Sequence, residues 1–264
     1  MNAPLVSVII PTFNRSHLLD KAVQSVLRQT YKNYEILVID DHSPDETRAV
    51  VGRMNSEKII YIRLPHNRGL SAARNTGFKA ARGEFMALLD DDDEWLETKL
   101  EKQMEAFLSA PPLVGVVYTG AWKISNNSRC PVPGSGAIPQ EKNIYQDMLQ
   151  GKYFVLPSAS MIRRECLQRV GLYDEHIRSL EDWDFWIRIS KYYFFKYVDE
   201  NLVLYHSTEG SLSRARLLRF RMARYIMKKH FRDIKKNPRA LLNFCGSMSR
   251  LWVGHVLFKA GLLE

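Results

Sequence analysis

Cysteine is scarce in this 264-residue chain: Cys130, Cys166 and Cys245 are far apart and form no C-x-x-C pair. That excludes a disulfide framework, argues against a structural zinc site and points to a reducing compartment. No stretch reaches the roughly 18 uncharged apolar residues that a membrane-spanning helix needs. Met1-Asn2-Ala3-Pro4 runs straight into an apolar strand. With no basic n-region or h-region there, no signal peptide is expected. No G-x-G-x-x-G follows the first strand, which disfavours a dinucleotide cofactor. Internal repeats and low-complexity tracts are also missing.

What is present suits a folded protein, 45% hydrophobic and 25% charged. At this length the chain can form one α/β domain with an appendage, or two closely packed subdomains. The net charge of +9 is concentrated. Residues 214–239 carry eleven basic side chains against Asp233 alone, a net +10, so the rest of the chain is near-neutral. Such asymmetry points one end of the molecule at an anionic surface.

Apolar runs at 5–10 (closed by Pro11), 35–39, 59–64 and 85–89 read as strands. Helical spacing starts at Asn14-Arg15-Ser16 and recurs over 45–55, 70–82 and 94–108. This alternation predicts a mostly parallel, Rossmann-like sheet with helices on both faces, which binds ligands beyond the carboxyl ends of its strands. After Pro112 the alternation weakens. Strands are expected at 114–118, 155–162 and 198–205, helices at 164–170 and 182–191, and a loop over 126–139. The expected divisions are 1–112, 113–212 and a helical C-terminal extension, 213–264.

Asp40-Asp41 and Asp90-Asp91-Asp92-Asp93 both follow strand ends, so they should line one crevice. Adjacent carboxylates raise one another's pKa unless a cation neutralises them. A hard divalent cation, with phosphate oxygens and water completing its shell, fits; a solvated acidic loop is the plainer reading. An aspartyl-phosphate phosphatase would want Thr or Val where Glu94 stands. Asp45 suits a turn and helix cap, which leaves Asp41 for a base or ribose.

Ser7-Val8-Ile9-Ile10-Pro11-Thr12-Phe13-Asn14-Arg15 closely resembles the opening of family 2 glycosyltransferases of the GT-A fold. So do Val38-Ile39-Asp40-Asp41-His42-Ser43, Asn67-Arg68-Gly69-Leu70-Ser71-Ala72-Ala73-Arg74-Asn75 and Leu89-Asp90-Asp91-Asp92-Asp93-Glu94-Trp95. The likeness covers about residues 5–110 and resumes at Ser179-Leu180-Glu181-Asp182-Trp183-Asp184-Phe185-Trp186. The resemblance implies a metal-dependent, inverting hexosyl- or N-acetylhexosaminyltransferase that uses a nucleotide-sugar, a UDP-sugar above all. It places nucleotide-sugar binding in 1–112 and acceptor binding with the catalytic base in 113–212.

By that resemblance Pro11, Thr12 and Asn14 form the first nucleotide loop, Asp41 reads the uracil, and Arg74 sits near the donor. Asp90, Asp91 and Asp92 match the D-x-D element. Asp92 is then the direct ligand of Mn²⁺ or Mg²⁺, Asp90 lies nearer the ribose or shares the metal, and Asp91 rivals it. Asp182 aligns with the catalytic base; helix capping is its structural alternative. His206 could meet the metal or diphosphate, though a lone His is more often structural. Glu181 and Trp183 are acceptor candidates, while Trp186 fits core packing at least as well. The Gly/Ser-rich residues 207–211 could close over the donor.

Basic and apolar residues interleave at helical spacing over 214–239, which fits a helix lying on an anionic membrane face. No nucleic-acid motif accompanies them, so nucleic acid is not an expected partner. The acceptor would be a membrane-associated glycan in surface-polysaccharide or glycolipid synthesis, and the enzyme cytoplasmic, peripheral on the inner face of the cell membrane. A catalytically silent nucleotide-sugar-binding module and a sugar-phosphate nucleotidyltransferase remain as alternatives. The second would want a Gly-rich phosphate loop where Pro11-Thr12-Phe13-Asn14 stands.

Overall fold

A strand apolar on both sides demands cover on both faces, because successive side chains point opposite ways. The first two strands are of this kind, with every residue buried. The computed structural model describes residues 3–125, 128–132, 143–206, 216–236, 239 and 242. Its first elements are β1 (Val6–Thr12), α1 (Ser16–Leu27), β2 (Tyr34–Asp40), α2 (Thr47–Arg53), β3 (Ile59–Arg63), α3 (Leu70–Ala80) and β4 (Phe85–Leu88). There follow β5 (Glu94–Trp95), α4 (Lys99–Leu108), β6 (Val114–Ser125), β7 (Ser128–Pro131) and α5 (Tyr145–Leu149). A 3-10 turn at Pro157–Ala159 leads into β8 (Ser160–Arg163), α6 (Arg164–Val170), α7 (Glu181–Ser190), β9 (Phe194–His206) and α8 (Arg216–Ile234).

Among the described residues nine strands join one sheet in the order β3-β2-β1-β4-β8-β6-β9-β5, with β7 paired to β6. The expected division at residue 112 falls between α4 and β6 and does not interrupt it. Val8, Ile10, Ile36 and Val38 pack against α1 (Leu19, Val23, Val26) and α4 (Leu100, Met104, Phe107). Ile9, Leu37 and Ile39 face the other way, onto α3 (Ala73, Phe78) and α7 (Phe185, Trp186, Ile189). A side chain at Gly77 would overlap Ile9, so glycine there lets α3 lie close on β1.

The α/β architecture is the expected one, with helices on both faces of the sheet. The parallel run is β3, β2, β1 and β4. Beyond it β8 runs antiparallel to both β4 and β6, and β9 pairs parallel to β6. Pro11 does not close β1; it pairs with Ile39 inside it. Ile9 accepts the Leu89 N–H on the β4 side, so Pro11, two residues on, turns its missing N–H to that side, where β4 has ended. The helix expected over 94–108 begins only at Lys99. Glu94 and Trp95 are drawn into strand geometry by Leu204 and Val203, and the Trp95 indole N–H donates to the Ser158 carbonyl at 2.7 Å. Within the expected loop at 126–139, Ser128–Pro131 forms an exposed hairpin partner of β6.

α8 is pinned by charge. Asp184, fully buried on α7, accepts hydrogen bonds from Arg188 Nε (3.0 Å), Lys229 Nζ (3.0 Å) and a His230 ring nitrogen (2.8 Å). Burial works against the Asp184 charge, but the His230 bond and the Arg188 and Lys229 cations outweigh it and hold its pKa down to about 2. Lys229 also reaches Asp174 at 2.7 Å. Ile226 and Ile234, on either side of these contacts, enter the core. Arg214, most of the apolar stretch after residue 239 and residues 207–211 lie outside the described residues.

Candidate active site

β1, β2 and β4 are neighbours in the parallel run, so the segments after Thr12, Asp40 and Leu88 emerge side by side. A cleft of about 890 Å³ opens there, of a size for a nucleotide-sugar. Pro11, Thr12, Asn14, Asp41, Arg74, Asp90, Asp91, Asp92, Glu181, Asp182, Trp183 and His206, all singled out from the sequence, line it.

Asp41 is buried, and each of its carboxylate oxygens accepts a backbone N–H at 2.7 Å, from Arg68 and from Gly69. Gly69 has φ 89°, which favours glycine, and it caps the start of α3. Asp41 therefore holds the turn that aims α3 and Arg74 into the cleft. Hydrogen bonds to a charged acceptor contribute about 1.5–3 kcal/mol each. Asp41→Asn turns one accepting oxygen into a donor facing an N–H. On the uracil-reading role that the sequence resemblance implies for Asp41, UDP affinity is expected to fall about 30-fold, roughly 2 kcal/mol. Calorimetric titration with UDP checks this, and unchanged affinity would refute the role given to Asp41.

Arg74 is 1% exposed and joins two parts of the cleft. Its Nη2 donates to Asp90 Oδ1 at 2.7 Å and its Nη1 to Glu181 Oε1 at 2.9 Å. Burial opposes its charge, and Asp90 above all overcomes that, pushing the guanidinium pKa up. Arg15 takes the other end of the acidic run, with Nη1 at 3.1 Å from Asp91 Oδ1 and 3.0 Å from Asp92 Oδ2. Burial pushes Asp91 up to about 6 although Arg15 opposes it. Asp93 is structural: fully buried, it accepts the Ser158 hydroxyl (2.6 Å) and the His206 backbone N–H (3.1 Å). Burial, then Asp90 and Asp92, push Asp93 up.

The His206 N–H bond to Asp93 seats the end of β9 beside the D-x-D segment. Among the described residues no three His, Cys, Asp or Glu side chains converge on a metal position. His206 Nε2 is buried and makes no hydrogen bond, although Glu94 Oε1 is 3.3 Å away. His206 and Asp92, whose Oδ2 is held by Arg15, line the same cleft and could share a divalent cation that takes its remaining ligands from diphosphate oxygens and water. Asp90, the other expected ligand, has Oδ1 engaged by Arg74.

Across the cleft, Leu180 caps α7 in the left-handed region, at φ 64° and ψ 21°. A branched side chain there is strained, and strain of this kind collects where geometry serves a site. The turn sets Glu181 and Asp182 at the cleft wall. Burial and then Glu181 push Asp182 up to about 7, against Arg74. Trp183 Nε1 donates to the Met148 carbonyl at 2.9 Å, which fixes the indole in the cleft wall. Trp186 donates to Val155 and lies in the core at 2% exposure.

Sequence reading missed Arg15, which pairs across 76 residues, and the strain at Leu180, for which Leu is no signal. It also missed Tyr173, whose hydroxyl is buried without a hydrogen bond while Arg74 lies 5.4 Å from its ring centre.

The model for Glycosyl transferase family 2 matches residues 7–171. The Escherichia coli UDP-Glc:alpha-D-GlcNAc-diphosphoundecaprenol beta-1,3-glucosyltransferase WfgD is 38% identical over 150 residues, 57% of this chain and 57% of WfgD. TuaG of Bacillus subtilis (strain 168), a glycosyltransferase named for teichuronic acid biosynthesis, is 31% identical over 80% of this chain and 82% of its own. The chain spans 57–61% of the length of several curated relatives it matches. Among solved structures, S. aureus TarS 1–349 in complex with UDP-GlcNAc superposes with TM-score 0.68 at 22% identity, over 84% of this chain and 66% of that one. The mannosyltransferase PcManGT from Pyrobaculum calidifontis, in complex with GDP-Man and Mn2+, gives 0.65 at 19% identity, over 99% and 80%.

Proposed function

This chain belongs to glycosyl transferase family 2, and from that premise we propose that it moves a hexosyl or N-acetylhexosaminyl group from a UDP-sugar to a lipid-borne glycan, with inversion. One observation carries the reading: Asp182, far along the chain from Asp41 and Asp90–Asp92, lines the same cleft, with Arg74 tying Asp90 to Glu181. The name of WfgD supports a UDP-sugar donor and a lipid-borne acceptor, and that of TuaG supports a role in glycan biosynthesis. A silent binding module would have no use for a carboxylate facing the acceptor side.

Asp182 takes the proton from the acceptor hydroxyl as that oxygen bonds the anomeric carbon. The bond from that carbon to the diphosphate breaks on the opposite face, and UDP leaves with the electron pair. Thr12, Asn14 and Asp41 belong to the nucleotide end, and Arg15 and Arg74 hold the D-x-D carboxylates in place. Asp92 and His206 would hold Mn²⁺ or Mg²⁺, whose Lewis acidity stabilises charge growing on the leaving diphosphate. Nucleoside diphosphate release from a panel of nucleotide-sugars, with either metal and with membrane extract, tests the reading. Absence of both metal-dependent binding and release overturns it.

Attachment to the inner membrane face belongs to the same proposal. No helix among the described residues is long and apolar enough to cross a membrane. The outward side of α8 instead aligns Arg221, Arg224, Lys228 and Arg232 with exposed Leu217 and Phe231. Near an anionic bilayer each cation contributes about 1 kcal/mol. Arg221→Glu with Lys228→Glu should therefore weaken co-sedimentation with phosphatidylglycerol vesicles at least about 30-fold. Equal sedimentation of the double variant would refute attachment through α8.

A further inference from the structure

α8 lies beyond the family-matched residues, yet Arg219 and Ala223 from it line the cleft. Residues two apart on a helix point nearly opposite ways. Arg219 thus faces the cleft, while Arg221 faces solvent with the basic row.

Its place within the cleft follows from what α8 packs against. One turn on, Met222 Sδ accepts the Arg178 backbone N–H at 3.5 Å. Ile226 shares a core with Tyr173, Ile177 and Phe185, and Lys229 is held by Asp174 and Asp184. All of these flank or belong to the segment that carries Glu181 and Asp182. Arg219 therefore stands on the side of the base, whereas Asp41 and Asp90–Asp92 emerge from the parallel strands.

An acceptor that carries a diphosphate must approach Glu181 and Asp182, which repel it, so it needs a cation on their side of the cleft. We propose that Arg219 binds the diphosphate of a lipid-linked acceptor, between the cleft and the lipid-facing side of α8. The guanidinium fork suits bidentate contact with phosphate oxygens. This rests on the transferase reading above and adds a recognition element to its acceptor end.

The same chemistry could come from the donor diphosphate, so the test separates the two. Wild type, Arg219→Gln and Arg219→Lys are titrated by calorimetry with UDP, and then, saturated with UDP and Mn²⁺, with farnesyl diphosphate. Thermal melting confirms that each variant is folded. For Arg219→Gln we expect farnesyl diphosphate affinity to fall about 10-fold or more, UDP affinity to stay within about twofold, and Arg219→Lys to lie between. Unchanged farnesyl diphosphate affinity overturns this inference alone, as does a loss confined to UDP, which assigns Arg219 to the donor. No UDP binding by the wild type overturns the transferase reading, and this inference with it.

Discussion

Asp182→Asn is expected to lower kcat by about 10²- to 10⁴-fold while UDP affinity stays within about twofold. The amide keeps the size and the hydrogen bond that Asp182 Oδ1 accepts from its neighbour Trp183 (2.8 Å) becomes the task of one remaining oxygen, but no basic lone pair is left for the acceptor proton. The wild-type pH profile gives an independent reading. Burial and Glu181 push Asp182 up to about 7, and a base works only when deprotonated. Below that value kcat should fall about tenfold per pH unit, and above it level off. Steady-state rates from pH 5.5 to 9 with saturating donor check both. A variant with wild-type kcat would remove Asp182 from the mechanism.

Arg74→Met should be costly in two ways. It leaves Glu181, and the more exposed Asp90, without their shared cation. Breaking a buried pair from one side costs about 3–5 kcal/mol, and the exposure of Asp90 argues for the lower end, roughly 3 kcal/mol. For a chain of this size that is a fall in Tm of roughly 6–12 °C. Turnover should drop at least about 10²-fold, because Asp90 and Glu181 lose the bridge that fixes them across the cleft. Arg74→Lys keeps the charge but has no fork to span both carboxylates, so it should recover much of the Tm and little of the rate. Calorimetric melting beside single-turnover rates separates the two effects. An unchanged Tm in Arg74→Met would show that the bridge is not structural.

The parallel half of the fold was legible because its causes are local. An apolar run of strand length, a turn and a helical period each sit within a few residues, and both acidic clusters follow strand ends directly. β5 was not legible. Glu94 and Trp95 look like the start of a helix, and only Leu204 and Val203, about a hundred residues on, make them a strand. β7 is fully exposed and carries no apolar alternation to announce it. Within the site, Asp41, Asp90–Asp92, Asp182 and His206 could be named from motifs. Arg74 could be named too, but not its pairing with Asp90 and Glu181, and Arg15 and Ser158 could not, because these contacts form only through tertiary folding; the backbone twist at Leu180 leaves no mark in residue type.

The carboxylate of Asp184 bears on where this protein can be shortened. Among the described residues the last strand of the sheet ends at His206, and the family-matched residues end well before it. A fragment stopped after β9 would nonetheless keep Asp184 in the interior with Arg188 alone, stripped of Lys229 and His230. Such a charge is tolerated in a core only while its partners are there. The cooperative folding unit therefore extends at least through Ile234, and expression boundaries drawn from the sheet or from family likeness would cut through it.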